Sequence, residues 1–559
     1  MKKNKISITL ILLLVSILYG CQNPDDLLPS VSRNGLNSIT ATFADDTGDF
    51  SIDNIDGQTE RLVIPIPYYY PETSNNRVTP EMLTNMKLTA NLDDNVIVSP
   101  QLLVLDLNKE NEITVTDQLK NKKKYIITGE IYKLRGTSIK EIAVIDNVSG
   151  DEVAAIVNEA ESKISLLSLT DLTDFDITKL DLSPHASATI STGKMTNLDN
   201  TKGQITITVT AQDESYKKTY RLVQEIPDKI ERGIRAGSGK IMFVKKLNAD
   251  LGITTINMTG GIAATKDYVV LNTRGEGSVY INAKTGERVG SVNLGAITGS
   301  LTNFYNTADA SGNILINNLA PNAGTFKIWK LKSVNATPEL YIDWSGSGTY
   351  ALGRKVSVVG SLDGDAIITA PLHNVASTFA RWIVRGGVLT SQTPELIKMN
   401  GIDITTANID LKYSTTDLNS DYYTVAYSNN RLIKVNGTTN GVSQQLDQLD
   451  TNYICNAVDY INFNNNGYVA YNHVNSFSWG SADKVFLINA DGNFSGVPGS
   501  VAFWQCTPDI YGGKYLGVVN GNGTGDVCFV KSADGYYLYL YFMFTNGSIV
   551  GVQFDCMDI

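Results

Sequence analysis

Beyond residue 235 the chain alternates short apolar runs with polar turns, and the alternation itself repeats. Each unit carries a turn rich in Asp, Asn or Gly, an apolar strand, a polar loop and a second strand. The turns centre on Asp267, Gly312, Gly364, Asp421, Gly467 and Gly513, at intervals of 45, 52, 57, 46 and 46 residues. A four-stranded sheet recurring at such a period predicts a β-propeller over residues 235–559. Third strands are visible at 278–281, 326–329, 381–384, 431–435, 484–488 and 527–530. Six blades count out, and a seventh, degenerate blade stays open. Residues 240–244 (Lys-Ile-Met-Phe-Val) precede the first complete unit. They would pair with the last blade, closing the ring and removing its free edges.

A second repeat lies upstream. The pattern Leu83-Thr84-Asn85-Met86-Lys87-Leu88 returns at Ile177-Thr178-Lys179-Leu180-Asp181-Leu182, an offset of 94. Ile113-Thr114-Val115-Thr116 returns as Ile207-Thr208-Val209-Thr210 at the same offset, and Lys123-Lys124-Tyr125 as Lys218-Thr219-Tyr220 at 95. The Ile-Thr-Val-Thr alternation puts methyl-rich groups on one face and hydroxyls on the other, as a half-buried strand requires. Two tandem Ig-like β-sandwiches are expected, over residues 37–140 and 141–230. Residues 151–167 read as a hairpin turning at Asn158-Glu159-Ala160-Glu161 rather than as a helix. The fold class is therefore all-β throughout.

Composition narrows the partners. Hydrophobic content of 42% with 18% charged is too apolar for disorder, and 559 residues require several cores. The net charge is −11, and no Lys/Arg cluster offers a nucleic acid a basic face. The densest run, Lys122-Lys123-Lys124, suits a solvated strand edge.

Residues 1–20 have the pattern of an export signal: Lys2, Lys3 and Lys5, then 13 apolar residues from Ile6 to Leu18. That run is too short to span a bilayer comfortably. It ends in Gly20-Cys21, which resembles the lipobox of bacterial lipoproteins. The resemblance implies lipidation of Cys21, with residues 21–36 as a tether, and a mature net charge of −11 − 3 = −14. Gln22-Asn23-Pro24-Asp25-Asp26 resembles the surface-export signal of Bacteroidetes lipoproteins. The pattern up to Asp181 resembles the Ig-like modules of unknown function in such lipoproteins. The repeat beyond it is similar to their uncharacterised C-terminal propellers. These likenesses imply an outer-membrane lipoprotein facing the cell exterior, with the sandwiches as a stalk.

The propeller period also sorts loops. Those joining second to third strands, and those running from one blade to the next, emerge on one face. That face would hold Trp344, His373, Asn374, His473, Asn475 and Trp479. Amides and imidazoles fork to vicinal hydroxyls, and an indole offers its face to sugar C–H groups, so these six are the candidate ligand-binding residues. No catalytic residue, metal site or cofactor motif stands out. Only three His exist, His185, His373 and His473, and a zinc site would need further ligands. Of the cysteines Cys455, Cys506, Cys528 and Cys556, the last two share the final blade and form a candidate disulfide, with free thiols as the competing reading. The function expected is capture of an extracellular nutrient, a glycan first, for an uptake system and without catalysis. A propeller polysaccharide lyase or hydrolase with carboxylates at the central channel is the alternative. A protein-binding scaffold or adhesin is the third reading.

Overall fold

The computed structural model describes residues 35–55, 58–117, 119–191, 205–404, 408–428, 431–448, 453–475, 483–492, 494–507 and 519–559. Cys21 and residues 1–20 lie outside the described residues, as do Trp479 and Gly513. The chain divides into a unit ending at Pro227 and a second unit over Asp228–Asp558. Apart from two short helical turns at Pro80–Asn85 and Ser345–Thr349 and a single helical turn at Pro498–Val501, the named elements are strands.

The first unit holds two sandwich modules. In the first, one sheet runs Phe50–Asp53, Leu36–Thr42, Met86–Leu92, Val104–Leu105. The other runs Arg61–Pro67, Lys122–Tyr132, Asn111–Thr116, Ile97–Ser99. Ile39, Ile64, Ile66, Leu88, Ile113 and Tyr125 pack between them, each at most 3% exposed. The second module repeats the pairing. Lys163–Leu167 lies parallel to Lys217–Glu225 as Arg61–Pro67 lies parallel to Lys122–Tyr132. Tyr220 is fully buried in it, as Tyr125 is in the first. The strand Glu152–Asn158 switches sheets: its first two residues pair with Ile139–Asp146 and the rest with Lys163–Leu167, the latter as the expected hairpin. Its path therefore joins both sheets into one of seven strands.

The second unit is a ring of six sheets, four of four strands and two of five. Their inner strands are Thr259–Ala264, Tyr305–Ala308, Ser357–Gly360, Ile409–Tyr413, Val458–Phe463 and Gly525–Lys531. Each packs against the next, and the sixth packs against the first, so the ring closes. These strands are bounded by turns and rich in Val, Ile and Tyr, the types that fit a pleated, half-buried surface. In the sixth blade the outermost strand comes from the front of the unit: Lys240–Lys246 pairs antiparallel with Ser548–Asp555, from Lys240↔Gln553 to Lys246↔Ser548. The ring is thus closed by hydrogen bonds between its two ends.

One part of the repeat falls differently. Residues 527–530 form the inner strand of the sixth blade, not its third strand. The sixth first-to-second turn is at 532–536, not at Gly513. Eighteen residues of sequence, 507–524, stand between the outer strand Ala502–Cys506 of the fifth blade and Gly525, and 508–518 of them lie outside the described residues.

Candidate functional site

The inner strands enclose a channel of about 540 Å³. Alternation along a strand turns every second side chain to the same side. In the fourth blade this sends Asp410, Lys412 and Ser414 to the lining. At one end the lining is exposed: Lys266, Ala310, Ser311, Asn462, Lys531 and Ala533, all in or beside first-to-second-strand turns. At the other end Ile262, Tyr305, Val356 and Val458 are buried. The mouth is therefore on the turn face, opposite the loop face that the loop arithmetic favours.

A buried charged cluster lies behind Tyr305, at the buried end of the lining. Lys355 Nζ lies 2.7 Å from Asp526 Oδ1 and donates to the Gly525 carbonyl at 3.2 Å. Its ammonium sits 4.7 Å from the centre of the Tyr305 ring. The Tyr305 hydroxyl donates to Asp526 Oδ2 at 2.9 Å. Burial, then the adjacent Asp526 charge, pushes that phenol well above its usual range. Burial also raises the Asp526 carboxyl, against the opposing pull of Lys355.

The acidic residues do a second job at the blade junctions. Asp309 Oδ2 accepts from the Leu362 N–H of the third blade at 2.7 Å. Asp410 Oδ2 accepts from Val458 of the fifth at 3.0 Å, and Asp459 Oδ2 from Phe529 of the sixth at 2.8 Å. Asp526 Oδ2 accepts from Ile262 of the first at 2.7 Å. Each carboxylate satisfies an inner-strand donor or turn donor of the next blade that has no place in its own sheet ladder. Lys412 Nζ pairs with Asp459 Oδ1 at 2.8 Å within the channel. Burial pushes Asp410 up to about 7, opposed by nearby Lys355. Cys528 also lines the channel, but burial raises its thiol well above the usual range, which leaves little thiolate for nucleophilic chemistry.

The loop-face candidates are spread through packing and turns instead of gathering at a pocket. Trp344 is 8% exposed, edge-on to Trp382 at 5.9 Å and stacked on Tyr350 at 6.1 Å. The Asn374 amide is spent on turns: Nδ2 donates to Asn322 Oδ1 and the Thr349 carbonyl, and Oδ1 accepts from Ala351 N–H at 2.9 Å. His373 Nε2 accepts from Arg354 N–H at 3.3 Å, and burial together with Arg354 depresses it to about 3. His473 is fully buried between Tyr471 and Phe486, at 5.2 and 5.1 Å. Burial depresses it also to about 3, so it is a neutral core side chain. Asn475 closes the strand Asn466–Asn475, its side chain outside the described residues like Trp479. The buried amides Asn272 and Asn317 likewise tie second-strand ends to the next blade, at Asn303 Oδ1 and the Gly353 carbonyl.

Cys528 and Cys556 are not bonded; all four propeller cysteines are free thiols. Cys528 pairs in register with Tyr541, and Tyr541 with Gly551, so a whole strand separates it from Cys556 beyond Asp555. No group of His, Cys, Asp and Glu among the described residues has metal-site geometry.

A signal for the channel was present in the chain. Asp is depleted in strands, yet Asp410, Asp459 and Asp526 each stand inside an apolar run: Ile409-Asp410-Leu411, Val458-Asp459-Tyr460 and Gly525-Asp526-Val527.

Comparison with known proteins adds family and no chemistry. Residues 16–129 match a second family, described as a domain of unknown function (DUF5018). No curated protein matches the chain. Among solved structures it is similar to a DUF4623 family protein from Bacteroides eggerthii DSM 20697. There the identity is 15% and the TM-score 0.45, over 75% of this chain and 98% of that one. A structural genomics protein of unknown function from Bacteroides thetaiotaomicron VPI-5482 shares 11% identity at a TM-score of 0.32, over 80% of this chain and 94% of its own. From the closing strand to the last strand of the ring, residues 242–555 match a family over more than half the chain, and the chain belongs to that family, described as a domain of unknown function (DUF8500).

Proposed function

We propose that the propeller binds the end of a saccharide in its central channel, and that the chain captures glycan at the cell surface for an outer-membrane uptake system. The observation that carries the reading is the channel itself. Its volume of about 540 Å³ suits a small-molecule site, and its lining runs from exposed residues at one end to buried ones at the other. A hydroxyl-rich ligand needs closely set donors and acceptors. Thr307, Ser414, Asn462 and Lys412 supply them around the lining. The surface location rests on Gly20-Cys21, where acyl chains on Cys21 would hold the protein to the membrane, and on the acidic pair Asp25-Asp26 as the export signal.

The test is thermal stabilisation of the soluble chain from residue 22 by a panel of oligosaccharides. Binding should be lost in Ser414→Trp, which fills the channel, while near-UV circular dichroism stays native. A panel without effect, or binding that survives Ser414→Trp, refutes the reading.

A hydrolase or lyase is the second reading, and one observation favours it. Asp410 and Asp459 both line the channel in unlike settings: one raised to about 7, the other paired with Lys412. Two carboxyl groups lining one channel are the residue pair that acid and base catalysis of glycoside hydrolysis uses. Release of reducing or unsaturated ends from a panel member, abolished in Asp410→Asn, would establish it over simple binding.

A further inference from the structure

We infer that the ligand of the channel carries a carboxylate: it is an acidic saccharide, a hexuronic acid or its glycoside, held through the lysines at the mouth. The inference rests on the saccharide reading above and narrows it to a substrate class.

The charged lining consists of Lys266, Lys412, Lys531, Asp309, Asp410 and Asp459. The acids are committed to the protein. Asp309 takes four donors: the N–H groups of Ser311, Asn313 and Leu362, and the Asn313 side-chain amide at 2.9 Å. Asp459 takes Lys412 together with the N–H groups of Tyr460 and Phe529. Asp410 takes the N–H groups of Leu411 and Val458 deep in the channel.

The rim cations are differently placed. Lys266 and Lys531 are exposed and have no ion pair among the described residues. Lys531 makes only a long contact, 3.5 Å, with the Asn462 carbonyl. Lys412 keeps two N–H donors beyond the one given to Asp459. The mouth of the channel therefore presents two ammoniums without an ion pair among the described residues, in a lining that holds three Lys and three Asp. The three carboxylates already have their donors within the protein, so the two rim ammoniums are the charges left for a ligand to meet. A neutral sugar would leave the rim ammoniums without a counter-charge. A carboxylate on the sugar ring meets Lys266 and Lys531 while the ring hydroxyls reach Ser414 and Lys412.

The experiment is calorimetric titration of the soluble chain with methyl galacturonide, methyl glucuronide and the matching neutral methyl galactoside and methyl glucoside, at low and high salt. Lys266→Gln, Lys531→Gln and the double variant are titrated in parallel; both positions are exposed, and circular dichroism verifies the fold. A uronide should bind at least tenfold more tightly than its neutral counterpart, and more weakly at high salt. The double variant should lose about tenfold or more of that affinity, as expected for loss of charge-assisted contacts. Equal binding of the neutral glycosides, or uronide binding unchanged in the double variant, overturns the acidic class and leaves the saccharide reading standing. Failure of all four glycosides, together with no effect of the oligosaccharide panel, overturns both.

Discussion

Replacing Lys355 by Met removes the cation of the buried cluster behind Tyr305 and keeps most of the side-chain volume. The Lys355 side chain is 7% exposed and that of Asp526 1%, so water does not replace the lost partner. Asp526 would keep the Ile262 N–H at 2.7 Å and the Tyr305 hydroxyl at 2.9 Å. Leaving a buried charge uncompensated costs about 3–5 kcal/mol. Over Asp228–Asp558, an unfolding entropy of ~2.1 cal/mol/K per residue totals ~0.7 kcal/mol/K, so the propeller transition should fall by ~4–7 °C. The loss should depend on pH. Asp526 is already raised by burial, and without Lys355 it rises further. A carboxyl raised in the folded state contributes stability that is present below its unfolded pKa and lost as pH rises through the folded value. The penalty should thus be large at pH 8 and shrink toward pH 5. Intrinsic tryptophan fluorescence isolates the effect, because all five Trp (329, 344, 382, 479 and 504) lie in the propeller. The double variant Lys355→Met/Asp526→Asn should recover most of the loss. A fall under ~1 °C at pH 8, or one of equal size at pH 5, would refute the reasoning.

Other outcomes follow from the same geometry. His473 is depressed to about 3, so the stability it contributes is present above its unfolded pKa of ~6.5 and is lost as pH falls toward 3; His473→Gln should flatten the acid-unfolding curve over that window, measured by fluorescence. Asp410 has the opposite sign: raised to about 7, it favours the folded state below pH ~4 and ceases to as pH rises to 7, so Asp410→Asn should gain relative to the parent between pH 5 and 8 in urea melts. A Cβ on Gly551 would come within 2.5 Å of the Phe243 ring on the closing strand, so Gly551→Ala should cost about 1–3 kcal/mol, partly restored by Phe243→Leu. The four propeller thiols are free, so a reducing agent should leave the melting temperature unchanged, and Cys455, Cys506 and Cys556, fully buried, should react with a thiol reagent only on unfolding.

Strand alternation and turn chemistry are local signals, and they carried the architecture. The closing strand was visible because an apolar run stood unpaired before the first blade, and Lys240–Lys246 does pair with Ser548–Asp555. The last turn was misplaced for an equally local reason: Gly512-Gly513-Lys514 has turn composition, but composition and spacing do not say which strands a turn joins, and the sixth blade's first two strands meet at 532–536. The site was harder because it is built across the ring. Asp410, Asp459 and Asp526 belong to one assembly, yet they lie 49 and 67 residues apart along the chain. The chemistry that made the loop residues attractive is the chemistry that folding consumes. An amide that could fork to vicinal hydroxyls also forks to a carbonyl and an N–H, and Asn374 does so. An indole that could stack on a sugar stacks on its neighbours, as Trp344 does on Tyr350. Polar groups in loops are therefore poor markers of a ligand site in a repeat fold, since every blade must close its own turns. An acid inside an apolar strand is a better marker, because the sheet ladder gives it no partner and the fold must supply one at the axis. At the axis those acids meet the next blade's N–H groups and, for Asp459 and Asp526, the ammoniums of Lys412 and Lys355, so the charge balance there holds neighbouring blades together.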